Sequence, residues 1–170
     1  MAVSLDEAVS IERKDGRCGI DITPVTSDAG LYAEACSFMY EMFEREVFDI
    51  VIADRVSGSV FASVVADRVH RGLAIASASS AGRLRCEYEG RHGKVTLSLP
   101  EGIVRPGMKV AIVCDVLRSG KDIKALIGMI EGAGAKVIKI GCFVEDSDHG
   151  ARKGTLKGYP LESRIFTEDY

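Results

Sequence analysis

Two stretches of the chain share one order of elements, strand, loop, helix and strand, and this order constrains the fold more than any other feature. In each stretch the strands are largely apolar, as a sheet covered by helices on both faces requires. Alternation of such strands with helices is typical of a parallel sheet. The sequence therefore predicts an α/β fold with an open, mostly parallel sheet flanked by helices. The segments are FDIVIA (48–53), DRVSG (54–58), a helix at 59–70 and LAIAS (73–77), then MKVAIVCDV (108–116), a helix at 122–133 and KVIKIGCFVE (136–145).

The remaining segments are predicted to complete one domain that covers residues 1–170. The two ends of the chain, about 1–24 and 146–170, are expected to form a small hood. Between the two repeated units, residues 83–102 are polar, basic and poorly patterned. A long excursion of this kind is usually functional or mobile, so a mobile loop is expected at about 83–95.

Composition and charge argue against several classes of function. The net charge of −3 disfavours a protein that coats nucleic acid or an anionic membrane. No apolar run approaches the roughly 18 residues that span a bilayer, so no membrane partner is expected. The five cysteines are scattered and never spaced as CxxC, which predicts neither a zinc site nor a disulfide framework. A soluble cytoplasmic protein is expected, and nucleic acid is disfavoured as a partner.

The candidate binding residues lie in the loops that follow the first strand of each unit. In an open parallel sheet, ligands sit beyond the carboxyl ends of the strands. In the second loop Ser119, Gly120 and Lys121 precede a helix, so backbone N–H groups, a hydroxyl and an ammonium could converge on a phosphate. Asp115 at the strand end could accept hydrogen bonds from sugar hydroxyls. The alternative is that these residues only cap the helix, and neither GxGxxG nor GxxxxGK[ST] is present.

The second unit resembles the type I phosphoribosyltransferases. Their signature is an apolar strand, two acidic residues and a loop ending Thr-Gly-Gly-Ser/Thr before a helix, and VAIVCDVLRSGKDIKALIGMIEGAGAKV (110–137) is similar to it throughout. Over residues 18–170 the order of segments is most similar to orotate phosphoribosyltransferases. The matching segments are GIDITPVTSDAGL (19–31), DRVSGSVFA (54–62), RCEYEGRHGK (85–94), LPEGIVRPGMKVAI (99–112) and GARKGTLKGYPLESRIFTEDY (150–170).

This resemblance implies a role for each matching residue. Asp115 would hold the ribose hydroxyls of phosphoribosyl pyrophosphate, and the loop after it would surround the 5′-phosphate with Arg118, Ser119, Gly120, Lys121 and Asp122. The first loop would lie against the pyrophosphate with Asp54, Arg55, Val56, Ser57 and Gly58. Three mobile-loop residues would close over the transition state, namely Arg85, Arg91 and His92. The resemblance also implies Mg²⁺ as cofactor and a homodimer, while three histidines at no ligand spacing predict no protein-only metal site.

The chain departs from the family pattern at several positions. Cys114 stands in the place of the first acidic residue, and Asp122 replaces the Ser or Thr that would donate to the phosphate. Orotate enzymes usually carry an Arg after the last core strand, whereas this chain has Glu145 and Asp146. This acidic pair is the candidate base-binding element and disfavours a carboxylated base. It would suit the amino or ring N–H groups of a purine, or else contact no base at all. His149 either lies near the base pocket or caps a turn.

The resulting hypothesis is a Mg²⁺-dependent phosphoribosyltransferase of the orotate-like kind. It would transfer phosphoribosyl from phosphoribosyl pyrophosphate to a nucleobase and release a nucleoside monophosphate and pyrophosphate. Two alternatives stay open. One is a purine base as acceptor, and the other is a non-catalytic sensor that binds phosphoribosyl pyrophosphate or a nucleotide.

Overall fold

A computed structural model describes residues 3–14, 17–77, 84–90 and 93–169 of the chain. Its strands are β1 (Ser10–Lys14), β2 (Arg17–Asp21), β3 (Ile50–Ala53), β4 (Gly72–Ile75), β5 (Leu84–Gly90), β6 (Gly93–Leu99), β7 (Lys109–Leu117), β8 (Lys136–Glu145) and β9 (Leu161–Phe166). Its helices are α1 (Leu5–Ala8), α2 (Thr23–Ser27), α3 (Ala29–Glu41), α4 (Ser59–Arg68) and α5 (Lys121–Gly132), with 3-10 helices at Ser147–His149 and Thr167–Asp169.

Five of these strands form one central sheet in the order β4, β3, β7, β8, β9, and every neighbouring pair in it is parallel. Ile52, Ile112 and Ile140 lie side by side across the three middle strands. The two repeated units are β3–α4–β4 and β7–α5–β8, as the order of segments predicts. The prediction of a mostly parallel sheet flanked by helices is confirmed.

Alternate residues of the central strands feed two separate apolar cores. On one face Val51 and Val113 pack beneath α3 and α4, where the rings of Phe61 and Phe143 lie 4.7 Å apart between centroids. On the other face, residues such as Ile112 pack beneath α5. Burial of each such large side chain contributes about 1.5–3 kcal/mol. The carboxyl edge of the sheet is therefore held from both sides, and the loops that leave it start from fixed positions.

The excursion between the two units is more regular than the sequence suggests. β5 and β6 form an antiparallel hairpin that pairs Leu84 with Leu99. Along β5, partly buried Leu84, Cys86 and Tyr88 alternate with exposed residues, and this strand packs against α5. Because the exposed face of β5 carries charged residues, the alternation of partly buried and exposed positions is hard to recognise in the sequence. The predicted mobility of 83–95 stays a prediction.

Within the two chain ends that were predicted to form a hood, the β1–β2 hairpin lies beside the short helix Ser147–His149, and the name hood is used below for these two elements. Arg13 of β1 donates from Nη2 to the carbonyl oxygen of Thr167 at 2.8 Å and forms an ion pair with Asp148 at 3.4 Å. These contacts join the early hairpin to the late part of the chain. Leu161–Phe166, which the sequence places in the hood segment, instead forms β9 because it continues the parallel ladder beside β8.

Among the residues that the structure describes, no helix combines the length and the apolar character that a bilayer span needs.

Candidate active site

A cavity of about 380 Å³ lies beyond the carboxyl ends of β3 and β7. Its walls come from the first βα loop (54–58), the second βα loop (118–122), the β5 strand and the hood. Most of its lining is polar or charged. The lining residues are Cys18, Arg55, Tyr88, Glu89, Gly90, Val116, Arg118, Ser119, Lys121, Asp122 and His149.

The second βα loop turns into α5 through Gly120, which has a left-handed backbone with φ of 67°. A Cβ there would lie 3.0 Å from the side chain of Leu156, so the residue is constrained by space as well as by backbone angle. This turn brings Ser119 and Lys121 to the cavity at the start of a twelve-residue helix. Among the lining residues that the structure describes, Lys121 is the cation that forms no ion pair.

Two carboxyl groups lie behind the loops with an oxygen free for another partner. Asp115 is 8% exposed and Asp54 is 1% exposed, and within the described residues Oδ1 of each has no hydrogen-bond partner. Burial raises the pKa of Asp54 to about 7, against the lowering effect of Arg55, with further raising by Asp122 and Asp115. The carboxyl edge of the sheet therefore holds two buried carboxyl groups, and each of them has one oxygen that could accept a bond from a ligand.

Arg55 connects the first βα loop to the second. Its Nε lies 3.2 Å from Oδ2 of Asp54, and its Nη2 lies 3.6 Å from Oδ2 of Asp122. The same Nη2 donates to the carbonyl oxygen of Val116 at 3.5 Å. Asp122 also accepts from the N–H of Ile123 at 2.9 Å, so its carboxylate occupies the first turn of α5. This carboxylate stands where the helix would otherwise favour a ligand anion.

Asp146 is the buried centre of the hood side of the cavity. Its Oδ2 lies 3.2 Å from Nη1 of Arg118 and 3.1 Å from Nδ1 of His149, and its Oδ1 accepts from the N–H of Asp148 at 3.3 Å. Arg118 also donates from Nη1 to the carbonyl oxygen of Cys18 at 2.6 Å. One buried carboxylate thereby ties the second βα loop to the hood.

Cys114 does not face the cavity. It is fully buried and pairs in register with Cys142 on β8. Its hydrogen bond to Cys142 and its burial raise the pKa of this thiol well above its usual value. The departure from the family's first acidic residue therefore places a protonated core thiol there rather than a reactive one.

The predicted phosphate and pyrophosphate residues are brought together only in part. From the second loop Arg118, Ser119, Lys121 and Asp122 line the cavity, while Gly120 shapes the turn. From the first loop Arg55 alone lines it. Asp54 and Gly58 are buried behind it, and Val56 and Ser57 are exposed. A Cβ on Gly58 would meet Oδ1 of Asp54 and lie 3.1 Å from the carbonyl oxygen of Val113, so this glycine lets α4 start close to β7.

The predicted base-binding pair separates in the structure. Glu145 is buried and accepts from Nη2 of Arg152 and from Oγ of Ser163, both at 2.6 Å. It does not line the cavity, because β8 directs it toward β9 and the segment that follows the hood helix. Asp146 reaches the cavity only through His149 and Arg118. A direct role of either carboxylate at the base stays a prediction.

The hairpin contributes residues other than those the sequence singled out. Arg85 is exposed and does not line the cavity, whereas Tyr88 and Glu89 do. Arg91 and His92 lie outside the described residues. The sequence analysis did not single out five of the lining residues, namely Cys18, Tyr88, Glu89, Gly90 and Val116. The alternation in CEYEG was the signal that could have placed the hairpin residues on a strand.

Comparison with known proteins places this architecture among enzymes. An adenine phosphoribosyltransferase of Symbiobacterium thermophilum is 31% identical over 150 residues, which is 85% of this chain and 86% of that protein. The chain belongs to the adenine phosphoribosyltransferase family. Another such enzyme, from Caldicellulosiruptor saccharolyticus, is 30% identical over 89% of this chain and 88% of that protein. No protein-family model matches the chain.

The fold comparison agrees with membership of the adenine phosphoribosyltransferase family. The crystal structure of the family member from Thermoanaerobacter pseudethanolicus has a TM-score of 0.87 and 28% identity, covering 96% of this chain and 99% of that one. The predictions of a type I phosphoribosyltransferase and of a transferase enzyme are confirmed. The particular likeness to orotate phosphoribosyltransferases is not supported, because these relatives are adenine phosphoribosyltransferases.

Proposed function

We propose that this chain transfers a phosphoribosyl group from phosphoribosyl pyrophosphate to adenine, giving adenosine 5′-monophosphate and pyrophosphate. This is the purine alternative of the sequence hypothesis, and the identity of the relatives supports it. The structural observation that carries the proposal is the free oxygen of buried Asp115 beside the start of α5, where Ser119 and Lys121 line the cavity. A diol and a phosphate joined by one ribose match these two features.

The charges around the cavity suit the reaction. As the bond from the anomeric carbon to pyrophosphate breaks and a ring nitrogen of adenine attacks, positive charge grows on the sugar and negative charge on the leaving group. Arg55 of the first loop is the cation placed to stabilise the leaving group, and Lys121 is the cation beside the proposed 5′-phosphate position. Tyr88 and Glu89 cover the cavity from the hairpin. Fixed charges in a covered cavity stabilise such a transition state without reorganisation of water.

The carboxylates of the site suit Mg²⁺ as cofactor. In the described residues no group of three or more His, Cys, Asp or Glu side chains could hold a metal ion. Mg²⁺ is commonly held by one or two carboxylates together with substrate phosphates, and the unpartnered oxygens of Asp115 and Asp54 are donors of that type. When bound with the substrate, the ion would neutralise charge on the pyrophosphate.

One observation favours a second function, binding without turnover. Asp122 and Arg55 form an ion pair at the first turn of α5, where the 5′-phosphate would lie. A carboxylate there opposes the phosphate, so the protein would need to displace this pair to bind its substrate. A sensor that binds a nucleotide weakly and releases it unchanged is compatible with this arrangement.

The deciding experiment measures pyrophosphate release with phosphoribosyl pyrophosphate, Mg²⁺ and one of six bases: adenine, hypoxanthine, guanine, xanthine, uracil or orotate. We expect release with adenine. Release with orotate alone would overturn the proposal that adenine is the acceptor. No release with any of the six bases would overturn the proposal that the protein is an active transferase. In the latter case, a thermal shift with adenosine 5′-monophosphate at about 100 times its Kd should still stabilise a sensor by roughly 2.7 kcal/mol.

The expected homodimer and cytoplasmic location stay predictions. Light scattering of the purified protein tests the first, and fractionation of cells that express it tests the second.

A further inference from the structure

The cavity has two ends, and each holds an arginine paired with an aspartate. Near its hood end, Cys18 lies within electrostatic reach of Asp146 and Arg118, and burial is the main cause that raises the pKa of this thiol. At the other end, Tyr88 lies within reach of Asp122 and Arg55. The second βα loop runs between these ends, with Ser119 and Lys121 available to a phosphate. A ligand whose phosphate sits at the start of α5 therefore directs its opposite part toward one of the two ends.

His149 lies at the hood end, and Asp146 contacts one nitrogen of its ring. It lines the cavity, while its Nδ1 lies 3.1 Å from Oδ2 of Asp146, a carboxylate with no exposed surface. A carboxylate accepts hydrogen bonds, so Nδ1 carries the proton and donates it. In the neutral ring Nε2 is then an acceptor, as the partner of one ring nitrogen sets the state of the other.

Arg118 is a second partner of the Asp146 carboxylate. Its guanidinium lies 3.2 Å from the same Oδ2 of Asp146, so the buried negative charge already has a cationic partner. Arg118 is held in turn by the carbonyl oxygen of Cys18. The hood end thus presents to a ligand a ring acceptor, Nε2 of His149, beside a protonated thiol, and the charges next to them are paired within the protein.

We propose that His149 is a specificity-determining residue that accepts a hydrogen bond from the amino group of the base through Nε2. This inference rests on the proposed function and extends it, because it gives a reason for the proposed choice of a 6-amino purine over a 6-oxo purine. An amino group donates to Nε2, whereas an oxo group would face it with a lone pair and leave it unsatisfied. Asp146 acts as a positioning residue that keeps the proton on Nδ1.

The test compares adenine with hypoxanthine in wild-type protein, His149→Ala and His149→Gln. The readouts are kcat/KM for each base and, by calorimetry, the Kd of adenosine and inosine 5′-monophosphates. We expect His149→Ala to reduce the preference for the adenine compound by roughly three- to tenfold, the range of one hydrogen bond. His149→Gln, whose amide oxygen can accept, should retain part of the preference.

Asp146→Asn tests the positioning role, since an amide no longer requires the proton on Nδ1. Its expected effect is a smaller loss of the same preference, a ratio that a change in stability alone would leave unaltered. Asp148→Asn is the matched control, because Asp148 belongs to the same turn, pairs with Arg13 and does not line the cavity. It should leave the ratio unchanged.

The outcomes separate this inference from the function on which it rests. If wild-type protein prefers the adenine compound and His149→Ala keeps that preference in full, the role of His149 is overturned while the function stands. If wild-type protein neither turns over nor binds either compound, both are overturned. If Asp148→Asn lowers the preference as much as His149→Ala, the effect belongs to the turn as a whole and the inference fails.

Discussion

The two βα loops leave neighbouring parallel strands at the same edge of the sheet, and they differ in what their side chains do. In the first loop Asp54 is buried, and Arg55 pairs both with it and with Asp122 of the second loop. The second loop lies open to the cavity with Ser119 and Lys121 at the start of α5. Topology thus supplies two equivalent positions for a ligand. The cation of the first loop, Arg55, is already paired within the protein, whereas Lys121 of the second loop is available to a ligand.

The largest expected effect comes from the carboxylate behind the open loop. Asp115→Asn removes the charged acceptor proposed for the ribose hydroxyls, and each hydrogen bond to a charged group is worth about 1.5–3 kcal/mol. We expect kcat/KM for phosphoribosyl transfer to fall by roughly 100-fold or more, measured as pyrophosphate release. Asp67→Asn, an exposed change on α4, is the control and should retain full turnover. Near-normal turnover in Asp115→Asn would contradict the proposal that this carboxylate behind the second loop holds the ribose hydroxyls.

Glycine substitutions compare the packing of the two loops. Gly58→Ala places a Cβ against Asp54 and the fixed backbone of β7, so we expect a loss of about 2–3 kcal/mol in the free energy of unfolding. Gly120→Ala has a left-handed backbone to strain but meets the movable side chain of Leu156, and about 1–2 kcal/mol is expected. Urea denaturation of both variants measures the difference. Equal losses would show that the first loop is no more tightly packed than the second.

The buried acid of the first loop should make stability depend on pH. The pKa of Asp54 is raised to about 7 by burial, so between about pH 4 and 7 the folded protein keeps a proton that the unfolded chain releases. The contribution of this proton to the free energy of unfolding is fully present below the pKa of the unfolded chain. It is lost as pH rises toward 7, with a slope of up to about 1.4 kcal/mol per pH unit. Asp54→Asn should flatten this part of the profile, measured by urea denaturation at several pH values. A parallel profile in the variant would contradict the raised pKa.

The smallest expected effect concerns the carboxylate at the first turn of α5. Asp122→Asn removes a negative charge from the proposed phosphate position and frees Arg55, so the Kd for phosphoribosyl pyrophosphate should fall roughly three- to tenfold. Titration calorimetry measures it, and Asp122→Glu, which keeps the charge, is the control. Equal tightening in both variants would show that side-chain shape rather than charge is responsible.

The order of elements could be predicted because its signals are local. β8 begins and ends at the residues that KVIKIGCFVE indicates, and α5 starts one residue before the expected position. Apolar strands followed by glycine-bearing loops and helical periods specify a parallel sheet without any long-range information. The β5–β6 hairpin was missed because its exposed face is charged, and β9 was missed because an edge strand following an irregular segment carries a weak pattern.

The site could be predicted only as far as backbone topology determines it. The position of the second loop at the carboxyl edge of the sheet could be predicted because it follows a strand and precedes a helix. The partners of individual charges depend on tertiary contacts, such as that of Arg118 with Asp146, 28 positions away in the sequence. For the same reason Glu145 and Asp146, adjacent in the chain, have different roles: one pairs with Arg152 and the other with Arg118 and His149.

The position of Arg118 has a mechanical consequence. One guanidinium holds the carbonyl of Cys18 in the hood and the buried carboxylate of Asp146 while its own backbone forms part of the second loop. The hood and the second loop, which form two walls of the cavity, are therefore linked by the side chain of Arg118. A ligand that orders one of these walls should also order the other. Slowed amide hydrogen exchange on ligand binding is therefore expected in β2 and in the second loop together.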